Sequence, residues 1–289
     1  MLDIKADFSE NVKYDYPDFS IYIRRCPLSV FPNYAADSHW HDDIELIAIL
    51  SGQMQYNVNG EIVTMNEGEG ILVNARQLHY GFSETKTECD FICILFHPVL
   101  LCTSKMFETD FVKPFINSDI PYVHLSKDTL WQKNMVKYIC EMCENKTKST
   151  SPLCSQGYVH LLWKELVENT ELAKTNQGNS DSKLSVLKNM MSYIHNSYKE
   201  KISLNEIALS GGVSKRTCEN IFAKYLNKTP MEYVTDFRLR KSIEMMLNSD
   251  MSILEISIEA GFSGASYYAE VFRKAFGVSP AEYRKRNRY

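Results

Sequence analysis

The most constraining feature of this 289-residue sequence is a pattern that occurs twice near its C-terminal end, about fifty residues apart. Four landmarks repeat in order: Ser-x-x-Glu, Gly-apolar-Ser, Phe, and Ser/Thr-Pro-x-Glu-Tyr. The paired positions are Ser203 and Ser252, Gly212 and Gly261, Phe222 and Phe272, and Thr229 and Ser279. The first two pairs are 49 residues apart and the last two 50, so the second copy holds one extra residue between Ser263 and Phe272.

Each landmark has a local physical meaning. Ser-x-x-Glu is a capping box, in which the hydroxyl and the carboxylate each accept from the other residue's backbone amide. Ser/Thr-Pro-x-Glu is the same device with Pro at the first helical position, where its missing N–H costs nothing. The Gly ends one helix, and the following Ser starts the next. Each copy therefore predicts a short helix, a tight turn and a second helix, which is a helix-turn-helix unit.

The second helix of each copy has an apolar face and a polar face. The apolar residues are Cys218, Ile221, Phe222 and Tyr225 in the first copy, and Tyr268, Val271, Phe272 and Ala275 in the second. The outward residues are Lys215, Arg216, Glu219, Asn220 and Lys224, and then Ala265, Ser266, Tyr267, Glu270, Arg273 and Lys274. In helix-turn-helix proteins such an outward face enters the DNA major groove. A charged face on one helix is usually only solvated, so the prediction depends on its duplication.

Side-chain chemistry divides these outward residues into two roles. Arg216 suits guanine and Asn220 suits adenine, while a carboxylate can accept from cytosine N4. The carboxylates in question are Glu219 and Glu270, and the predicted phosphate contacts are Lys215, Lys224, Arg273 and Lys274. Phosphate contacts position a protein on DNA without specifying sequence.

A single helix is predicted between the two copies, over residues 231–247. About 16 residues at ~1.5 Å each make a rigid spacer of roughly 24 Å. With the helix widths added, the two second helices would lie about one DNA turn, ~34 Å, apart on one side of the duplex. Arg238 lies on this helix, and the sequence leaves open whether it contacts a phosphate or forms an internal salt bridge.

Charge is unevenly divided along the chain. Residues 185–289 hold 16 Lys and Arg against 11 Asp and Glu, a net charge of +5, whereas residues 1–184 hold 16 against 25, a net charge of −9. A basic C-terminal third on an acidic remainder favours a polyanion-binding module joined to a domain of another kind.

Residues 184–289 resemble the DNA-binding domain of the AraC/XylS family of bacterial transcription regulators. The passage "GFSGASYYAEVFRKAFGVSPAEYRK" is similar to the family's signature, and "GGVSKRTCENIFAKYLNKTP" is a more divergent copy. Asn227 and Lys228 stand where Gly is common in the family, and Glu219 is an unusual base reader. The resemblance implies two helix-turn-helix units joined by a long helix, acting on double-stranded DNA.

Residues 20–100 contain short apolar runs separated by turn signals, a pattern typical of an antiparallel barrel or sandwich. Asn59-Gly60 predicts a tight hairpin, because both residues tolerate positive φ. His39, His41 and Glu45 share one face of an extended strand, and His79 follows. This spacing is similar to the metal motif of cupin barrels, and such a donor set suits Fe, Mn, Ni or Zn.

The resemblance to AraC-type regulators implies a cupin-like sensor with a small-molecule pocket. The candidate effector-binding residues are Tyr34, His39, Trp40, His41, Glu45, Tyr56, Arg76 and His79. Three interpretations stay open here: a pocket without an essential metal, metal-assisted ligand binding through His39, His41, Glu45 and His79, and a metal-dependent cupin enzyme with a helical appendage.

The predicted fold class is multidomain α and β: a cupin-like antiparallel barrel with a helical segment, followed by an all-α double helix-turn-helix domain. The predicted boundaries are 1–125 for the barrel, 126–174 for a helical region, 175–183 for a flexible linker and 184–289 for the DNA-binding domain. The helical region either dimerises or packs its apolar stripe on the barrel of its own subunit. Without a signal peptide or an apolar run of ~18 residues, we expect a cytosolic protein with reduced cysteines and no membrane partner.

The sequence thus favours an AraC-type transcription regulator with no catalytic residues and no certain cofactor. Its expected partners are DNA, a small effector for which sugars are one candidate class, a second copy of the chain, and RNA polymerase if it activates. A constitutive DNA-binding protein with a vestigial barrel is a further alternative.

Overall fold

The computed structural model describes residues 2–5, 8–170, 182–226 and 228–287. The chain forms two compact units, the first made of Met1–Lys5 and Ser9–Ser180 and the second of Ala6–Phe8 and Asp181–Tyr289. No helix of the described residues is long and apolar enough to cross a membrane. Residues 175–181 of the predicted linker lie outside the described residues, and its last two residues, 182 and 183, open a helix.

The first unit is built on antiparallel strands in the order β1-β6-β2-β4-β7, with β3 and β5 also paired to β2. The strands are β1 (Ile21–Pro27), β2 (Ile44–Val58), β3 (Glu61–Asn66), β4 (Gly70–Val73), β5 (His79–Phe82), β6 (Cys89–Phe96) and β7 (Tyr122–Leu125). The predicted antiparallel character of this region is confirmed.

β2 organises the unit because it changes partners along its 15 residues. Its first part pairs with β4 and β6, and its last part pairs with β3 and β5. The register with β6 shifts between Ile49 and Ser51. The predicted hairpin follows β2 directly, with φ of 53° at Asn59 and 94° at Gly60. These two positive values are what a type I′ turn requires.

The two faces of β2 enter different cores. Ile44, Leu46 and Ala48 lie in a core shared with helices, whereas Ile47 and Ile49 lie in a second core with Met54 and other strand residues. Alternation of side chains along a strand produces this division. Glu45 has the same parity as Ile47, so its carboxylate enters the second core.

Helices cover the first of these cores. They are α1 (Lys113–Ile116), α2 (Leu130–Glu144) and α3 (Ser151–Asn169). Met135 and Ile139 of α2, and Val159 and Leu162 of α3, are buried in the same core as the sheet residues. The apolar stripe of the helical region therefore packs on the sheet of its own chain. This is one of the two roles that the sequence left open for it, the other being dimerisation.

From residue 182 onward, the described part of the second unit consists of helices joined by turns. Its helices are α4 (Ser182–Ser197), α5 (Leu204–Ser210), α6 (Lys215–Leu226), α7 (Pro230–Asn248), α8 (Ile253–Glu259), α9 (Ala265–Phe276) and α10 (Pro280–Asn287). The predicted double helix-turn-helix fold is confirmed, with α5–α6 as the first unit and α8–α9 as the second. The predicted connecting helix is α7, whose 19 residues span about 28 Å at ~1.5 Å each.

The predicted capping boxes and turns form as expected. The carboxylates that accept from the backbone amide of the cap residue, at 2.7–2.9 Å, are Glu206, Glu232, Glu255 and Glu282. Gly212 and Gly261 end α5 and α8 with φ of 65° and 82°. The capping-box hydrogen bonds satisfy backbone amide groups that would otherwise lack partners at the start of each helix.

The extra residue of the second copy lies in the turn before α9. Ser214 caps α6, accepting from the Thr217 amide at 3.1 Å. The matching Ser263 does not cap α9, since the N-cap is Gly264, which has no side-chain oxygen. The prediction that Ser263 caps the second helix of its copy was therefore wrong. Because the added residue precedes the helix, α6 and α9 align with a constant offset of 50 residues.

Candidate effector site and nucleic-acid interface

Four ionisable side chains converge inside the first unit. His39 and His79 are joined by an antiparallel bridge, while His41 lies just before β2 and Glu45 within it. The ligand atoms of all four lie within 4.8 Å of one another. Their exposed fractions are only 1–5%, so the cluster is shielded from solvent. The structure thus brings together the His and Glu residues that the sequence spacing singled out.

Glu45 lies at the centre of this cluster. Its Oε2 is 2.6 Å from Nε2 of His79 and 3.7 Å from Nε2 of His41. Its Oε1 accepts a weak bond from the thiol of Cys93 at 3.5 Å. Burial of such polar groups is costly unless they find partners. The three atoms Glu45 Oε2, His41 Nε2 and His79 Nε2 have no hydrogen-bond partner within the described residues.

Burial also controls the protonation of the cluster. It lowers the pKa of His79 to about 4, so this imidazole is neutral at pH 7. Burial alone would raise the pKa of Glu45, but the imidazoles of His79 and His41 outweigh it and hold that pKa well below its usual range. An ionised carboxylate thus faces a neutral ring.

The remaining predicted effector residues do not share one location; they are Tyr34, Trp40, Tyr56 and Arg76. The ring of Tyr56 stacks parallel to that of His79, 6.1 Å away, and burial raises the Tyr56 pKa. Tyr34 is half-buried and packs against the second core, which also contains Tyr56. Trp40 lies between His39 and His41 in the chain and is half-buried.

Arg76 does not join the cluster. Its Nε donates to Asp42 at 2.7 Å, and its side chain is 66% exposed. The guanidinium therefore lies outside the cluster, and its contact with an effector stays a prediction. The residue has a positive φ of 66°, and its backbone amide donates to the carbonyl of His41 at 2.7 Å. The backbone at Arg76 supports the site while the side chain turns outward.

Glu10 is a member of the site that sequence reasoning missed. Its Oε2 lies 3.6 Å from Nε2 of His39, and its side chain is 10% exposed. Burial raises the pKa of this carboxyl. Because Glu10 precedes the motif by 29 residues, no local pattern signals its position.

The second unit presents the predicted outward faces of α6 and α9 to solvent. All the outward residues are exposed except Ala265, which is half-buried. The predicted inward residues are buried in α6, and in α9 Tyr268 and Phe272 are buried while Val271 and Ala275 are half-buried. Each helix therefore offers a polar face on an apolar anchor, as groove reading requires.

The constant offset of 50 residues allows the two faces to be compared position by position. Arg216 corresponds to Ser266, Asn220 to Glu270, and Lys224 to Lys274. The shared lysine suits a phosphate contact, whereas the other two pairs differ in hydrogen-bonding chemistry. The two helices thus present different functional groups to DNA.

Arg238 belongs to the scaffold. Its Nε donates to the carbonyl of Tyr198 at 2.8 Å, and its Nη2 donates to the carbonyl of Glu200 at 2.6 Å. The sequence left a phosphate contact and an internal salt bridge open, and the observed partners are backbone carbonyls instead of a carboxylate. We therefore remove Arg238 from the predicted DNA contacts.

Comparisons with known proteins match the two units of the chain to two different domain families. The AraC-like ligand binding domain family matches residues 26–110, and a helix-turn-helix domain family matches residues 207–286. The chain is 32% identical over 253 residues to the uncharacterized HTH-type transcriptional regulator YdeC of Bacillus subtilis, covering 86% of each chain.

Two more distant likenesses extend over most of the chain. The melibiose operon regulatory protein of Escherichia coli is 23% identical over 261 residues, with 88% of this chain and 85% of that protein covered. The structure of ToxT from Vibrio cholerae is 13% identical, covers 92% of this chain and 98% of that chain, and has a TM-score of 0.46. On the family matches and the extent of the YdeC likeness, this chain belongs to the AraC family of transcription regulators, with a ligand-binding domain followed by a helix-turn-helix DNA-binding domain.

Proposed function

We propose that a small molecule bound inside the first unit controls sequence-specific DNA binding by the second. The observation that carries this proposal is the pair of exposed faces on α6 and α9, each held by its own capping boxes and glycine turn. Their scaffold is stiff, because α7 is one uninterrupted helix between them. This arrangement suits adjacent major grooves on one side of a duplex.

The proposed base contacts lie in the first halves of α6 and α9. Arg216 reads guanine, Asn220 reads adenine, and Glu219 and Glu270 accept from cytosine. Phosphates are bound by Lys215, Lys224, Arg273 and Lys274, with Ala265, Ser266 and Tyr267 completing the α9 surface. Because the faces differ, the two half-sites should differ in sequence, so the operator is not an exact direct repeat.

The proposed effector is a small polar molecule, with sugars as the first class to test. The cluster offers polar atoms without a hydrogen-bond partner among the described residues on His41, His79 and Glu45, next to the ring of Tyr56. Hydrogen-bonding groups of this kind beside an aromatic ring suit a hydroxylated ligand. One relative is named for the melibiose operon, and this supports the sugar class without identifying the ligand.

The proposed working form is a cytoplasmic homodimer. On α3, Leu153, Gly157 and Leu161 follow one another at helical spacing and are exposed. The Leu153 and Leu161 side chains are 75% and 43% exposed, and nothing lies within 4 Å of a Cβ built at Gly157. Two such helices could approach closely, and sedimentation of Leu153→Glu against wild type tests whether this face joins two copies.

Control by the effector requires that it prefer one arrangement of the protein, because equal affinity for two states shifts neither. We propose that this barrel acts as a sensor and not as a catalyst. If the regulator activates, RNA polymerase is its further partner. A thermal-shift screen of sugars against the full chain, followed by DNA binding with each hit, tests the coupling. A hit that is chemically turned over would favour the enzyme instead.

The DNA-binding proposal is tested by gel shift with the chain's own upstream DNA. We expect sub-micromolar affinity that weakens steeply as salt increases, because counterions are released from the phosphates. Random DNA of the same length is the matched control. Equal affinity for the two DNAs at moderate salt would contradict sequence-specific recognition.

A further inference from the structure

The buried histidines of the first unit are all oriented in the same way. Nδ1 of His39 lies 2.7 Å from the carbonyl of Asp37, Nδ1 of His41 lies 3.1 Å from that of Asp43, and Nδ1 of His79 lies 2.9 Å from that of Gln77. A carbonyl oxygen only accepts, so each Nδ1 must carry the proton. Each neutral ring then has its lone pair on Nε2.

This tautomer places three lone pairs and a carboxylate face to face. Nε2 of His79 is 2.6 Å from Oε2 of Glu45, and both atoms are acceptors without a hydrogen-bond partner among the described residues. Two acceptors at this distance repel each other unless a cation lies between or beside them. Nε2 of His41 is a third such acceptor. The arrangement is what metal-binding histidines show, with the second ring nitrogen fixed by a backbone carbonyl.

We propose that this interior binds one divalent transition-metal ion through Nε2 of His39, His41 and His79 and a carboxylate oxygen of Glu45, with Glu10 supplying a further carboxylate. Three imidazoles and carboxylate oxygens favour Zn, Fe, Ni, Co or Mn over Mg or Ca. Metal–ligand bonds of ~2.0–2.2 Å bring ligand atoms within about 4.4 Å of one another. The observed spread of 4.8 Å thus requires only small side-chain shifts.

Glu10 is the part of this site that comes from outside the strand motif. Its backbone amide donates to the carbonyl of Trp40 at 2.8 Å, and Ser9 forms a parallel bridge with Trp40. This pairing carries the Glu10 carboxylate to 3.6 Å from His39 Nε2, where its Oε2 is buried without a hydrogen-bond partner among the described residues. The N-terminal segment therefore completes the donor set, and occupancy by an ion would anchor that segment to the sheet.

The ion would take the same atoms of His41, His79 and Glu45 that the proposed effector would contact, but its binding is tested with neither effector nor DNA. The test uses untagged full-length chain, treated with a chelator and dialysed, and titrated with Co²⁺ as the probe. We expect one Co²⁺ per chain, visible ligand-field bands, and a higher thermal midpoint. Lack of stoichiometric binding by the wild-type chain would overturn the proposal while leaving DNA binding untouched.

Proton NMR of the Co²⁺-loaded wild-type chain tests the ligand set without any substitution. Each coordinated histidine should give one paramagnetically shifted, exchangeable Nδ1–H signal, so three are expected. Fewer than three would contradict coordination through Nε2 of all three rings. This readout holds even if a substituted chain fails to fold.

Substitutions then test the individual donors. His41→Gln and Glu45→Gln should abolish the bands, while His160→Gln, at a histidine of α3 outside the cluster, should leave them unchanged. Glu10→Gln should retain one-to-one binding but weaken it at least about tenfold and alter the spectrum, as loss of a supporting group does. If Glu10→Gln has the wild-type spectrum and affinity, Glu10 is not a donor.

Discussion

The guanidinium Nε of Arg238 donates a 2.8 Å hydrogen bond to the carbonyl oxygen of Tyr198, 40 residues earlier in the chain. With the bond from Nη2 to Glu200, this ties α7 to the segment that follows α4. The carbonyls at the end of a helix lack partners within it, and a cation near them is favourable. Arg238 therefore holds the segment between α4 and α5 against α7, the helix that leads to the second helix-turn-helix unit.

Arg238→Ala should destabilise the second unit without changing its base preference. Loss of hydrogen bonds from a charged donor should lower the free energy of unfolding by about 1–3 kcal/mol. Denaturant unfolding followed by far-ultraviolet circular dichroism measures this change. Arg238→Lys should recover little, because one ammonium group cannot reproduce the fork of the guanidinium. Full stability together with altered sequence preference would show that Arg238 contacts DNA after all.

The two turn glycines should respond unequally to substitution by alanine. Gly212 and Gly261 both have positive φ, so alanine at either position costs about 1 kcal/mol of backbone strain. A Cβ at position 212 meets no atom within 4 Å, whereas one at position 261 would overlap the backbone carbonyl of Tyr198. Gly261→Ala should thus lower the thermal midpoint well beyond Gly212→Ala. Equal midpoints would mean that the backbone around Tyr198 yields easily.

The reading and phosphate-binding roles should separate in DNA-binding measurements. Arg216→Ala should cost about 1–3 kcal/mol on the preferred site and relax preference at one base pair. Lys274→Ala should weaken binding to all sequences alike and reduce the salt slope by about one. Fluorescence anisotropy over a salt series measures both effects. Lys137→Ala, at a lysine on α2 of the first unit, is the control that should change neither.

The second unit should lose stability in mild acid because of His195. Its ring stacks on Phe237 at 3.7 Å, and its Nε2 lies 3.1 Å from the hydroxyl of Tyr233. Burial, with the positive charges of Arg240 and Lys241, lowers its pKa to about 2. The unfolded chain has an ordinary histidine pKa near ~6.5 and so binds the proton first. The contribution of His195 to stability is therefore fully present above a pH of about 6.5 and is lost as the pH falls below that value.

At pH 5 the stability lost through His195 amounts to about 2 kcal/mol. This pH lies about 1.5 units below the unfolded-state pKa, and each unit is worth about 1.36 kcal/mol. Hydrogen exchange of the α7 amides at pH 7.5 and pH 5, corrected for intrinsic rates, reports the loss. His195→Gln should be less stable at pH 7.5 but should show a flatter pH dependence. If wild type and variant have the same pH dependence, the acid sensitivity arises from another group.

Much of the second unit follows from the sequence because its signals are local. A capping box joins residues three positions apart, and a glycine with positive φ is needed within one turn. The apolar spacing of α6 and α9 identifies their inward faces in the same way. The strand parity of His39, His41 and Glu45 likewise predicts that they share a face, and the cluster in the structure agrees.

Contacts between distant segments had no such signal. Glu10 reaches His39 only because a backbone bridge places Ser9 beside Trp40, and Arg238 finds carbonyls that lie 38 and 40 residues earlier in the chain. The side chain of Arg76 bonds to Asp42 outside the cluster, and its backbone has a positive φ of 66°.

The sequence by itself determined the double helix-turn-helix unit, the antiparallel first unit and the His and Glu set, since periodicity and capping act within a few residues. Only the tertiary structure decided which further side chains join that set, which arginine supports the scaffold, and that the stripe of α2 and α3 covers its own sheet. Those choices depend on how separate elements pack, and packing depends on shapes and distances that no short stretch of sequence encodes.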